Sequence, residues 1–117
     1  MPKVYLETSF FSECCTIRAG DIARGRRATS LKWWSGSASH FDLFISNEVV
    51  RELSSAAFPE EVRGPALGML AGLPVLELTS EVLGVAAILV RERIMPAPAV
   101  AGDALHLAAA VVHRIDY

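Results

Sequence analysis

An open α/β fold built on parallel strands is the architecture this sequence predicts, and three observations predict it. Short apolar runs at Lys3–Leu6, Asp42–Ser46 and Val75–Leu78 have strand length, and the stretches between them carry helical spacing. Strands that alternate with helices are joined by right-handed crossovers and lie parallel. Each run also gives way to residues suited to a turn or a helix cap: Thr8-Ser9, Asn47 and Thr79-Ser80. At 117 residues and 52% apolar, the chain predicts one domain over residues 1–117, with a core buried on several sides.

The elements follow in order. Lys3 to Leu6 reads as a short buried strand. A helix is predicted from Phe10 to about Arg18, and a second from Asp21, as its N-cap, to about Ser37. Trp33 and Trp34 stand near the end of that second helix, where aromatic side chains serve core or dimer contacts more often than base stacking. Asp42 to Ser46 is the second strand, and Asn47 caps a helix running to about Ala57. Pro59 suits the first position of the next helix, with Glu60 and Glu61 in its first turn and Gly72 at its stop. Val62, Ala66, Met69 and Leu70 give that helix one apolar face. The third strand starts after Pro74, and Thr79 or Ser80 caps a helix to about Ile94. Pro96-Ala97-Pro98 is a rigid connection to a last helix from about Val100 to Arg114. The chain ends at Ile115-Asp116-Tyr117, where a further strand is expected to begin, so one or more C-terminal strands are expected to be missing.

Composition excludes several classes. No apolar run approaches the ~20 residues of a membrane span, and no apolar segment precedes Glu7 to make a secretory signal. Cys14 and Cys15 are adjacent and make neither a disulfide framework nor a zinc or redox motif. Free thiols of this kind predict a reducing cytoplasm. No glycine-rich phosphate loop is present. The net charge of −2 conceals an asymmetry: Arg18, Arg24, Arg26, Arg27 and Lys32 against Asp21 give a local +4, leaving −6 elsewhere. A solvated helix face explains such a run, and so does a surface for a polyanion.

Three acids stand where apolar elements meet turns. Glu7 follows Val4-Tyr5-Leu6, Glu52 lies inside the helix after the second strand, and Asp103 opens the apolar run to Val112. Strand ends of an open α/β sheet line a ligand crevice. Three carboxylates converging there repel one another unless a divalent cation neutralises them, which is the arrangement of a metal-dependent phosphodiesterase. Each acid also has a plainer reading. Glu7 and Asp103 fit helix N-termini, and Glu48, four residues before Glu52, fits the favourable end of its helix dipole, with Arg51 directed elsewhere. Thr8 and Ser9 supply hydroxyls to orient Glu7. His106 shares a helix face with Asp103, as a metal ligand or as a locally hydrogen-bonded core residue.

Three segments together resemble the PIN-domain ribonucleases. They are Val4-Tyr5-Leu6-Glu7-Thr8-Ser9, Ile45-Ser46-Asn47-Glu48-Val49-Val50-Arg51-Glu52-Leu53 and Gly102-Asp103-Ala104-Leu105-His106-Leu107-Ala108-Ala109-Ala110. The chain is most similar to the toxin (VapC-like) components of toxin–antitoxin pairs. That resemblance implies a three-layer α/β/α sandwich around a short parallel sheet, with acids that hold Mg²⁺ or Mn²⁺. Glu7 then takes the place of the family's first Asp, Glu52 the second acid and Asp103 the third. A fourth position falls in a segment after the next strand, so the resemblance implies weak RNA cleavage by residues 1–117. Arg18, Arg24, Arg26, Arg27 and Lys32 would hold the RNA backbone. The competing expectation is a catalytically weak or inactive binding module that pairs with an antitoxin or with itself.

Overall fold

A computed structural model describes all 117 residues. Three parallel strands, β1 (Lys3–Tyr5), β2 (Asp42–Ser46) and β3 (Val75–Leu76), form a sheet in the order β1-β2-β3. Lys3 pairs with Asp42 and Tyr5 with Phe44, while Ile45 pairs with Val75 and Ser46 with Leu76. Six helices accompany this sheet: α1 (Thr8–Cys15), α2 (Asp21–Gly36), α3 (Asn47–Leu53), α4 (Glu60–Met69), α5 (Ser80–Arg91) and α6 (Asp103–Val112). A short 3-10 turn at Ala38–His40 leads from α2 into β2. No helix is long and apolar enough to cross a membrane.

The predicted α/β class and parallel pairing agree with this arrangement, and the element ends differ for local reasons. The first helix starts at Thr8, earlier than Phe10, because Glu7 caps it by accepting the Ser9 N–H at 3.1 Å. Gly20, not Asp21, is the N-cap of α2, and Ser46, not Asn47, caps α3 by accepting the Glu48 N–H. The helix after β2 ends at Leu53 rather than Ala57. Ser54 Oγ turns back onto the Val50 carbonyl at 2.7 Å, and the backbone before Pro59 is barred from helical geometry. Pro59 is an N-cap rather than the first helical residue. The third strand stops at Leu76, and α5 stops at Arg91, with Arg93 in the left-handed region at φ 58°. The last helix begins at Asp103, not Val100, because Gly102 takes φ 71°, a conformation that only glycine adopts freely.

Alternation along β1 divides the core. Val4 and Leu6 join Phe11, Ile45, Val49, Leu53, Ala66 and Leu70 in one cluster, beneath α1, α3 and α4. A second cluster joins Val82 and Ala86 of α5 to Ala104, Leu105, Ala108 and Ala109 of α6. Small residues on both helices let their backbones approach closely. Tyr5 packs against both clusters. Trp33 and Trp34 are half-buried against the first cluster; Trp33 stacks on Phe41 with ring centroids 5.8 Å apart, and Phe10 meets Trp33 edge-on. Both tryptophans therefore serve packing.

The chain's last residues lie along β1. Asp116 and Tyr117 donate their N–H groups to the Lys3 carbonyl at 3.0 and 3.1 Å, and the Tyr5 N–H reaches the Tyr117 carbonyl at 3.3 Å. Asp116 Oδ2 accepts from the Lys3 N–H at 2.8 Å. The edge of β1 away from β2 is thus hydrogen-bonded.

Phe11 is 0% exposed, so Phe11→Ala is expected to lower unfolding stability by about 3–5 kcal/mol. Ile22→Ala, at a side chain 74% exposed on α2, is expected to stay within about 0.5 kcal/mol of the parent. Urea denaturation of the two variants checks both, and a costly Ile22 substitution would contradict this division of core from surface.

Candidate active site at the carboxyl end of the sheet

The polar side chains converge where β1 and β2 end and α3 and α6 begin. Ser46 closes β2 and is fully buried, and its Oγ lies 2.7 Å from the Tyr5 hydroxyl. The same hydroxyl is 2.6 Å from His106 Nδ1, across 101 residues of sequence. His106 is buried, and its Nε2 hydrogen-bonds Glu52 Oε1. Thr8 Oγ1 donates to that oxygen at 2.7 Å. Elements β1, β2, α1, α3 and α6 are therefore tied by one polar chain. Burial pushes the Tyr5 hydroxyl far above its usual range, with the charges of Glu52, Glu48 and Glu7 adding to it. Tyr5 thus remains a neutral O–H.

The acids differ in how their charge is met. Glu48 is 3% exposed, and burial alone disfavours its charge. Arg51 and the Gly102 N–H outweigh that cost, and the carboxyl titrates below the usual range. Arg51 Nη2 donates to Glu48 Oε2 at 3.0 Å, and the Gly102 N–H reaches the same oxygen at 2.6 Å. Arg51 was expected to point elsewhere; the spacing of three residues places it beside Glu48 on the helix surface instead. Glu48 therefore joins α3 to the start of α6. Glu7 receives the Ser9 N–H and hydroxyl as a helix cap, which is the plainer of its two readings. Burial still raises its carboxyl above the usual range, and the negative charges of Asp103 and Glu52 raise it further. Asp103 is exposed at the first turn of α6 and makes no hydrogen bond through its side chain.

Glu52 bonds both Thr8, the neighbour of Glu7, and His106, one turn after Asp103, so the three acids border one region at the sheet's carboxyl end. Their side chains are not already drawn together: no three His, Cys, Asp or Glu side chains are grouped as metal ligands. In donor chemistry the set fits a hard divalent cation, since it offers carboxylate oxygens. Glu7 would have to leave its capping contact to contribute.

The basic residues lie apart from these acids. Arg18 precedes α2, and Arg24, Arg26, Arg27 and Lys32 lie along it, all exposed on a helix that buries none of its residues. Arg18 and Arg26 line a cavity of about 550 Å³ between α1, α2 and α4, together with Ser9, Glu13, Ile22 and Phe58. Ser9 connects that cavity to the acidic region. Cys14 is buried, its thiol pushed up to about 11 by burial, which makes it a packing residue rather than a nucleophile.

Tyr5, Ser46 and Arg51 are the contributors that sequence reasoning passed over. A signal existed for Tyr5: a hydroxyl-bearing ring between Val4 and Leu6 of a buried strand must find a polar partner. Nothing in the sequence names His106 as that partner. Comparison with protein-family models, with curated proteins and with solved structures gives no match for this chain.

The two acids have opposite linkage to pH. Glu48 is lowered in the fold, so its contribution is present above its unfolded-chain value and is lost as pH falls through the lowered one. Glu7 is raised, so its contribution is complete below its unfolded-chain value and is lost as pH rises through the raised one. Glu48→Gln is therefore expected to lower the urea midpoint at neutral pH. Glu7→Gln, which keeps a capping oxygen, is expected to raise it in metal-free protein. Both differences should close in acid, and a midpoint series from neutral to acid pH reads them directly.

Proposed function

We propose that this chain is a metal-dependent ribonuclease of the PIN type, with a three-layer arrangement of its helices about the sheet, hydrolysing RNA phosphodiester bonds with Mg²⁺ or Mn²⁺. The observation that carries the reading is that Glu7, Glu52 and Asp103 border one region at the carboxyl end of a parallel sheet, with one oxygen of Glu52 held by buried donors. The resemblance of the three motif segments supports it.

Glu7, Glu52 and Asp103 are the residues that would hold the cation. A bound Mg²⁺ or Mn²⁺ supplies charge neutralisation at the phosphoryl oxygen and a more acidic bound water. The chain's own residues do the positioning. Thr8 and His106 fix Glu52, and Glu48 fixes the backbone just before Asp103 through the Gly102 N–H. Arg18, Arg24, Arg26, Arg27 and Lys32 offer phosphate contacts along α2, with salt-dependent affinity. Target choice would rest on single-stranded or loop shape.

A second reading draws on Glu7, whose carboxylate is engaged as a helix cap. A domain in which Glu7 never leaves that cap would serve as a binding module, for an antitoxin protein or a second copy of this chain.

Hydrolysis of a labelled single-stranded RNA separates the two readings. Cleavage is expected with Mn²⁺ or Mg²⁺ and is expected to vanish in Asp103→Asn. A cation that binds only the native state stabilises it by about 2.7 kcal/mol at a hundred times Kd. The melting temperature should accordingly rise with Mn²⁺ in the parent and not in Asp103→Asn. No cleavage and no Mn²⁺ shift in the parent would leave the binding module. Replacing Arg24, Arg26 and Arg27 together by Ala should flatten the slope of log affinity against log salt by about 2, at roughly 0.7 per single-strand phosphate contact. An unchanged slope would remove α2 from the RNA surface.

A further inference from the structure

The hydrogen-bond chain behind Glu52 has a direction, which a count of its protons reveals. Ser46 is fully buried, and its Oγ meets the Glu48 N–H at 3.3 Å and the Tyr5 hydroxyl at 2.7 Å. The amide can only donate, so the hydrogen of Ser46 has the Tyr5 oxygen as its acceptor. Tyr5 then gives its own hydrogen to His106 Nδ1, 2.6 Å away. A ring nitrogen that accepts carries no proton, so the imidazole proton sits on Nε2, facing Glu52 Oε1. A carboxylate can only accept, so this end closes as well. A proton on Nδ1 would reverse the Tyr5 contact and leave the Ser46 hydrogen without an acceptor, since Ser46 Oγ meets only the Tyr5 hydroxyl and the Glu48 N–H.

The far end of this chain bears on the crevice. Thr8 and His106 both bond Oε1 of Glu52, while Oε2 has no partner within the protein and is not a buried unpartnered atom. One oxygen is saturated from the protein side and the other is free toward solvent.

We infer that Tyr5 and His106 are positioning residues. Tyr5, by donating to Nδ1, holds the His106 ring against Glu52 as its Nε2–H tautomer, and the ring holds Glu52 with Oε1 saturated and Oε2 left to solvent. The consequence for cation affinity rests on the proposed nuclease reading; the tautomer and the orientation do not. Partners that fix ligand orientation in this way are worth ten- to a hundredfold in metal affinity.

Two measurements on the full chain test the inference. In ¹⁵N-labelled protein at neutral pH, long-range ¹H–¹⁵N correlation is expected to show His106 with a protonated Nε2 and an unprotonated Nδ1. Tyr5→Phe keeps the ring and removes the only partner of Nδ1, so it is expected to move the Nδ1 ¹⁵N resonance to that of a nitrogen without a hydrogen bond while Nε2, facing Glu52, keeps its proton. Mn²⁺ titration of the same proteins is expected to show about tenfold weaker binding in Tyr5→Phe. His106→Leu should bind more weakly still, and His106→Gln, which keeps a donor, should recover part of the loss. An Nδ1–H tautomer or a doubly protonated ring in the parent overturns the inference. So does a Tyr5→Phe variant whose Nδ1 resonance and Mn²⁺ affinity match the parent while only its urea midpoint falls, since a purely structural role predicts that result. The predicted tautomer in a parent without Mn²⁺ affinity upholds the fixed ring and overturns the nuclease reading instead.

Discussion

Tyr5 is the side chain on which both halves of this molecule lean. Its ring packs against the cluster beneath α1, α3 and α4 and against the cluster between α5 and α6. The two clusters are otherwise separate in their buried residues, so the ring is the apolar joint between them. Its hydroxyl lies in the same low-dielectric interior and requires partners there. Ser46 and His106 supply them, and through His106 the requirement passes to Glu52. The orientation of an acid at the rim is thereby inherited from the packing of the core. A shift of α6 against β1 would disturb both together.

The four acids near the sheet end are graded by how far the protein answers their charge. Glu48 is answered fully, by a guanidinium and a backbone N–H, and acts as a tie between α3 and α6. Glu52 is answered on one oxygen. Glu7 is capped yet remains burdened by burial and by its acidic neighbours. Asp103 stands exposed. This gradient runs outward from the core, and the uncompensated charge collects where a ligand could reach it.

Much of the fold was legible because the signals were local. Strand runs at Lys3, Asp42 and Val75 are bounded by turn residues, and their alternation with helical spacing implies parallel pairing without knowledge of contacts. Element ends were less legible, since they turn on single competitions. One is whether Ser54 bonds its own helix, and another is whether Gly102 takes a positive φ. The positions of Glu7, Glu52 and Asp103 at element junctions could be read from the chain, but their compensation could not. Glu48 looked like a simple dipole-favoured acid because its Gly102 partner is 54 residues away. The Tyr5–His106 bond is more distant still, and no periodicity carries information across such a gap.

The placement of the tryptophans has a spectroscopic consequence. Trp33 and Trp34 sit at the C-terminal end of α2, against Phe10, Phe11 and Phe41, and neither reaches the α5–α6 cluster. Intrinsic fluorescence of this protein is therefore a reporter of one cluster only. Helical circular dichroism, by contrast, draws on α5 and α6 as well. If the Tyr5 joint couples the clusters tightly, the two signals will lose native character at the same denaturant concentration. If the joint is weak, fluorescence will remain silent while α5 and α6 come apart, and the emission of a partly open molecule will still look native.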